Sequence, residues 1–109
     1  DLDTARAMAA ALERADWSEA GRLLREEWAH RRRNSPGIST PLIDLLVAAS
    51  RRAGALGAKA CGAGGGGCVV FLTERGARGR VEQAVAAAGA RVIPARLAPR
   101  GLSVTSVAQ

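Results

Sequence analysis

The sequence is poor in the side chains that usually bind nucleic acids and metal ions. It contains no tyrosine and a single phenylalanine, which leaves few rings on which bases could stack. It has one histidine, His30, and two cysteines, Cys61 and Cys68, which lack the Cys-x-x-Cys spacing of a zinc or redox pair. These shortages argue against nucleic-acid partners and against a metal centre. We expect the two cysteines to be small residues that line a tight loop, and we expect the protein to be in a reducing, cytoplasmic compartment.

The sequence also lacks any long apolar run. No stretch approaches the roughly 20 residues that span a bilayer, so we expect no membrane partner. The chain starts at Asp1 without an initiator methionine or a recognisable targeting signal, and with a helical pattern already under way. This start predicts a fragment or an excised domain.

Positive charge is abundant and comes almost entirely from arginine. The net charge is +6, and Lys59 is the only lysine. An anionic partner would explain this excess, and so would a genome biased towards arginine codons. The arginines are scattered, with one cluster at residues 31–33, so the charge alone does not choose between these explanations.

Three helices are predicted in the first half of the chain. The first covers residues 1–14, the second starts after Asp16 and is stopped by the turn sequence Asn34-Ser-Pro-Gly37, and the third starts at Pro41. Asp16 and Glu19 match a capping box, in which each side chain binds a backbone amide at the start of the second helix. Thr40 is the predicted N-cap of the third helix, with Pro41 at its first position and Gly54 just past its end. The spacing gives this helix an apolar face of residues 42, 45, 46 and 49.

In the second half of the chain, the spacing of the apolar residues changes from a helical to a strand-like pattern. It predicts strands over residues 58–61, 68–73, 91–97 and from 102, with a helix over 76–88. Pro94 places its strand at a sheet edge or at a bulge. The predicted fold is α+β: three N-terminal helices, then β-β-α-β-β, with an antiparallel sheet and helices packed on one face. We divide it into a helical part, 1–55, and a glycine-loop part, 56–109.

The stretch GAKACGAGGGGCVVFL, residues 57–72, is the most informative feature. It lacks the Lys-Ser/Thr pair that a Walker A loop requires after its second glycine. Gly62, Gly64 and Gly67 satisfy G-x-G-x-x-G, but a strand-like run follows where that fingerprint needs a helix. Two interpretations remain, a plain hairpin turn and a loop whose free amides contact an anion. The surplus of glycines favours the second.

This stretch resembles the third conserved motif of the GHMP kinases, a superfamily that includes galactokinase, homoserine kinase and mevalonate kinase. The flanking segments DWSEAGRLLREEW and ISTPLIDLLVAASRRAGALGAK resemble the carboxy-terminal domain of that superfamily, so the likeness covers essentially the whole chain. Within the superfamily, the chain is most similar to the sugar-kinase branch that contains D-glycero-D-manno-heptose 7-phosphate kinase.

The resemblance implies ATP-dependent phosphoryl transfer to a small alcohol, sugar or phosphosugar, with ATP and Mg²⁺ as cofactors of the complete kinase. It also implies that this chain carries no catalytic side chain and binds no cofactor tightly alone. The motif Pro-x-x-x-Gly-Leu-Gly-Ser-Ser-Ala and the amino-terminal kinase domain that bears it are absent. The residues expected to face the phosphates are Gly62, Ala63, Gly64, Gly65, Gly66 and Gly67.

Other residues have both a functional and a structural interpretation. Lys59 could meet a phosphate, or its stem could pack at a sheet edge while its charge reaches water. Structural roles are favoured for His30 (solvated helix end), for Ser39 and Thr40 (capping), and for Trp17 and Trp28 (packing).

The alternative function is a free-standing, non-enzymatic ferredoxin-like module for ligand binding or oligomerisation. An exposed apolar patch left by the missing domain predicts some self-association, and thus a homo-oligomer.

Overall fold

The computed structural model describes residues 2–35, 37–61, 68–97 and 102–108 of the chain. Its elements confirm the predicted α+β class and element order. The helices and strands, in chain order, are α1 (Leu2–Glu13), α2 (Trp17–Asn34), α3 (Pro41–Ala53), β1 (Gly57–Cys61), β2 (Cys68–Glu74), α4 (Arg78–Ala87), β3 (Arg91–Leu97) and β4 (Leu102–Ala108), with a 3₁₀ turn (Arg75–Ala77) leading into α4.

Local capping explains where α2 and α3 begin and end. The Asp16 carboxylate accepts a hydrogen bond from the Glu19 amide at 3.1 Å, and the Thr40 hydroxyl accepts one from the Ile43 amide at 3.1 Å. Gly54 follows α3 with φ at +118°, a conformation that glycine adopts at little cost. The predicted start of α2 and both predicted ends of α3 are therefore confirmed.

The second half of the predicted capping box is wrong. The Glu19 carboxylate does not return to the Asp16 amide, because it accepts two hydrogen bonds from the Arg22 guanidinium, each at 2.8 Å. The Asp16 amide donates instead to the Ala11 carbonyl at 2.8 Å. The hydrogen bond from Arg22 is also the main cause that lowers the pKa of Glu19.

The four strands form one antiparallel sheet in the order β1-β2-β4-β3. The pairing of β3 with β4 shifts register between Ile93 and Arg96, which places a bulge at Pro94. Since β3 is also an edge strand, both expectations for Pro94 are confirmed. A proline is tolerated there because it has no amide to donate to a neighbouring strand.

Two groups of apolar side chains form the core. The larger group joins β1 and β2 to α3 and α4 and includes Trp28 of α2, with Phe71 and Leu46 fully buried. Leu72 points to the other face of β2 from Phe71, because side chains alternate along a strand, and it packs with α1 and α2 in the smaller group. Helix α2 thus contributes to both groups and lies beside β1.

The predicted apolar face of α3 is only partly correct. Leu46 is buried as expected, but Leu45 is 48% exposed and Ile43, which was not predicted, is buried. The buried side of α3 consists of Ile43, Leu46 and Ser50, a stripe rotated from the one expected. The Ser50 hydroxyl is accommodated because it donates to the Val47 carbonyl at 2.9 Å.

The approach of α2 to the chain just before β1 requires a glycine. A Cβ atom at Gly21 would lie 2.7 Å from the Leu56 Cβ and 2.8 Å from the Leu56 carbonyl oxygen. Both distances are shorter than van der Waals contact, and one of the two atoms belongs to the backbone. Helix α2 would therefore have to move away from Leu56 to accommodate a Cβ atom at residue 21.

Replacement of Gly21 by alanine is therefore expected to lower the free energy of unfolding by about 1–3 kcal/mol, since the extra methyl group overpacks this contact. Gly79, in α4, is the matched control, because a Cβ there meets nothing within 4 Å. Gly79→Ala should leave stability unchanged or raise it by up to about 1 kcal/mol. Urea unfolding of both variants measures the difference, and a stable Gly21→Ala protein would contradict the tight contact.

Candidate phosphate-binding segment and neighbouring cavity

The glycine-rich segment joins two paired strands. Strands β1 and β2 are antiparallel, and their register places Cys61 directly opposite Cys68, where the chain leaves β1 and enters β2. Residues 62–67 form the connection. Because β2 is a strand rather than a helix, the structure confirms that the dinucleotide-binding fingerprint does not apply.

The residues predicted to face phosphates, Gly62, Ala63, Gly64, Gly65, Gly66 and Gly67, lie outside the described residues. Strand β2, which follows them, is held firmly by the sheet and the core. Strand β2 is central in the sheet, and its Val69 and Phe71 are buried against α3 and α4. The residue at which the chain enters β2 therefore belongs to a rigid part of the sheet.

Lys59 lies on β1, two residues before Cys61, and is half-buried. It lines a cavity with Glu27 and Leu24 of α2 and with Ala5, Met8, Ala9 and Leu12 of α1. Strand β1 is an edge strand, as the packing alternative for Lys59 assumed. The lysine stem therefore has apolar neighbours on α1 and α2, and its role towards phosphate stays a prediction.

The hydroxyls before α3 serve the helix start. Thr40 caps the Ile43 amide, and the Ser39 hydroxyl donates to the Asp44 carboxylate at 2.7 Å. Asp44 also pairs with Arg32 of α2 at 3.2 Å, which ties α3 to α2 near the surface. His30 is exposed and contacts Asn34, one turn further along α2. The structural roles expected for Ser39, Thr40 and His30 agree with these contacts.

Neither a metal cluster nor a membrane span is found among the described residues. No three side chains of His, Cys, Asp or Glu in residues 2–35, 37–61, 68–97 and 102–108 converge to hold a metal ion. Within the same ranges, no helix is both long and apolar enough to cross a bilayer.

A second cavity, which the sequence does not predict, lies between α2, α3 and the start of β1. Its volume is about 220 Å³. The side chains that surround it are Arg25, Trp28, Ala29 and Arg32 of α2, Val47, Ser50 and Arg51 of α3, and Ala55, Gly57 and Ala58. The α2 members recur at the i, i+3, i+4, i+7 spacing of one helix face, a signal that the sequence contains. The sequence pattern does not show that α3 forms the opposite wall, because this depends on the tertiary packing of the two helices.

Comparison with known proteins identifies relatives across most of the chain. The family described as GHMP kinases C terminal matches residues 8–91. The mevalonate kinase of Thermococcus sibiricus is 42% identical over 73 residues, which are 67% of this chain and 22% of that kinase. The galactokinase of Roseiflexus sp. is 46% identical over 68 residues, 62% of this chain and 17% of that kinase. The galactokinase of Bos taurus is 43% identical over 76 residues, 69% of this chain and 19% of that kinase.

No solved structure is significantly similar to the chain. The chain spans about a fifth of the length of the curated relatives it matches. The predicted superfamily is thus confirmed. These relatives are mevalonate kinases and galactokinases, so the heptose 7-phosphate kinase branch gains no support from them and stays a prediction.

Thr40→Ala should lower the free energy of unfolding by about 1 kcal/mol, because the Ile43 amide loses its capping acceptor. Thr40→Ser keeps the hydroxyl and should retain most of the stability. Urea unfolding measures both variants. Equal stability of Thr40→Ala and the unaltered chain would show that the hydroxyl does not cap α3 and would reopen a substrate-binding role.

Proposed function

The chain belongs to the family of GHMP kinase carboxy-terminal domains, and on that premise we propose that it forms the carboxy-terminal part of an ATP-dependent small-molecule kinase. In this proposal, the backbone amides of residues 62–67 line one wall of the active-site cleft and face the phosphates of the nucleotide or of the acceptor. The other wall, with the groups that accept the proton and hold Mg²⁺, belongs to an amino-terminal kinase domain.

One observation carries the proposal: a connection of six residues, five of them glycine, joins two strands whose ends are held directly opposite each other. A hairpin turn needs only one or two glycines. A run of residues without Cβ atoms lets another group approach the backbone closely. Successive amides in such a turn form a concavity that suits phosphate oxygens. Phosphoryl transfer requires mainly positioning and charge neutralisation, and backbone amides can supply both.

The acceptor is proposed as a small molecule with a free hydroxyl group. The names of the relatives specify mevalonate and galactose as the molecules that those kinases phosphorylate. The likeness to the sugar-kinase branch favours a sugar or phosphosugar here, with a heptose 7-phosphate as the specific expectation. A panel of mevalonate, galactose and heptose 7-phosphate, offered to the complete kinase with Mg-ATP, separates these acceptors.

Two parts of the proposal concern the chain alone. We expect it to show no kinase turnover, because the proposed catalytic groups lie in the other domain. The alternative, a free-standing ferredoxin-like module, is distinguished by the coding sequence upstream of Asp1. An in-frame domain with the Gly-Leu-Gly-Ser-Ser motif supports the kinase, whereas a start codon immediately upstream supports the module.

The central test replaces Gly65 by valine in the complete kinase. A branched side chain in the proposed phosphate wall should lower kcat/KM by about 100-fold, the loss typical of reactants displaced by about an ångström. Gly76→Ala is the matched control, because Gly76 is surface-exposed and a Cβ there meets nothing within 4 Å. Steady-state kinetics, with urea unfolding to confirm the fold, compare the variants. Unchanged kinetics in a folded Gly65→Val kinase would rule out the proposed wall.

A separate test addresses Lys59, which we include as a further phosphate contact because it lies three residues before the segment begins at Gly62. Lys59→Met removes the charge but keeps an apolar stem against α1 and α2, so stability should be unchanged. The KM for ATP should rise several-fold, with a smaller effect in Lys59→Arg. A KM for ATP that does not move in Lys59→Met would assign the residue to packing alone.

A further inference from the structure

The cavity between α2 and α3 is bordered by arginine and apolar side chains. Three arginines border it, Arg25 and Arg32 from α2 and Arg51 from α3, and its lining includes no Asp or Glu. Arg32 is partly neutralised by Asp44 at 3.2 Å. Arg25 and Arg51 make no ion pair with any residue in the part of the chain that the structure describes. An unneutralised pair of guanidinium groups beside an apolar cavity favours an anion.

The two unneutralised arginines are held in place by backbone carbonyls. Arg25 donates to the Leu56 carbonyl, and Arg51 donates to the Ala55 carbonyl at 3.0 Å. Each guanidinium has five N–H donors, so most remain available to another acceptor. Burial, followed by the positive charges of Arg51 and Arg22, lowers the pKa of Arg25, which indicates that its own neighbours do not compensate its charge.

Trp28 adds a donor of a different kind. Its side chain lines the cavity and is only 4% exposed, and its buried indole Nε1 has no hydrogen-bond acceptor among the described residues. Buried donors are normally paired, so an unpaired one beside a cavity indicates a missing acceptor. The polar groups around the cavity are thus almost all donors, while Ala29, Val47, Ala55 and Ala58 supply an apolar wall.

The size of the cavity limits its occupant. Its 220 Å³ exceeds the ~150 Å³ that accommodates benzene in a protein core, yet it is smaller than the roughly 300 Å³ at which sites for drug-sized ligands begin. We propose that this cavity binds a compact organic anion, one small ring or short chain that bears a single carboxylate or phosphate. Arg25, Arg51 and the indole N–H of Trp28 hold the charged group, and the apolar wall contacts the rest of the ligand.

The cavity and the glycine-rich segment are at opposite ends of β1. The cavity meets β1 at Gly57 and Ala58, the first residues of the strand, whereas the glycine-rich segment leaves β1 after Cys61. At about 3.3 Å per residue, the two ends of β1 are roughly 13 Å apart. The proposal therefore does not depend on the kinase assignment and can fail or succeed without it.

The test follows the two indole N–H signals of the ¹⁵N-labelled chain while a ligand is titrated. Benzoate and phenyl phosphate are the probes, with benzyl alcohol as the neutral counterpart and inorganic phosphate as the anion without an apolar body. The Trp28 signal should shift to saturation with either organic anion, and at least tenfold more weakly with benzyl alcohol or inorganic phosphate. Trp17, which packs in the other apolar group, is the internal control and should not respond.

Variants of neighbouring arginines on α3 provide matched charge changes. Arg51→Gln should weaken benzoate binding at least fivefold, whereas Arg52→Gln, an exposed neighbour that does not line the cavity, should change it less than twofold. If Arg51→Gln fails to fold because Ala55 loses its donor, Arg32→Gln at the cavity rim provides the second variant, with an expected weakening of at least twofold.

Three results would overturn the proposal. The first is the absence of any Trp28 shift at 20 mM of either organic anion. The second is equal affinity for benzoate and benzyl alcohol, which would identify a purely apolar cavity. The third is a Trp28 shift that is equally large in Arg51→Gln, Arg32→Gln and the unaltered chain, which would show that the arginines do not hold the anion.

Discussion

The contact between Gly21 and the chain before β1 is the constraint on which the rest of the structure depends. It lets α2 lie against the edge of the sheet so closely that a methyl group at residue 21 would overlap Leu56. From that position, α2 sends Trp28 into one apolar group and Leu24 into the other. The same closeness allows Arg25 to reach the Leu56 carbonyl and so to border the cavity between α2 and α3. A helix set farther out would weaken all three contacts.

The features that sequence could predict are those set by neighbouring residues along the chain. Thr40, Pro41 and Gly54 define the ends of α3 through local hydrogen bonds and backbone conformation, and the structure confirms them. Pro94 is similar, because its missing amide excludes it from a regular ladder whatever surrounds it. The predictions that were wrong concern residues for which two partners compete, or whose burial is set by elements distant in the sequence. Glu19 was bound by Arg22 instead of the Asp16 amide, and the buried side of α3 is set by the sheet and α4 rather than by spacing alone.

The same distinction applies to the two candidate sites. The glycine-rich segment could be recognised from the sequence because its chemistry resides in consecutive residues between two strands. The arginine-bordered cavity could not, because it exists only where a face of α2 meets a face of α3. Even so, four of its ten lining residues recur in the sequence at the spacing of one face of α2, and only the identity of the facing element was missing.

The two edge strands of the sheet, β1 and β3, differ in what could limit the pairing of a further strand. Helix α2 packs beside β1, and β3 contains Pro94, which has no amide to donate to a further strand. Unprotected edges are the usual route by which one chain recruits a strand from another and begins to aggregate. Here, a foreign strand would lack one hydrogen bond along β3 at Pro94, and along β1 it would approach a strand that already packs with α2. Any assembly of these chains with one another would therefore rely on side-chain surfaces rather than on a continuous sheet.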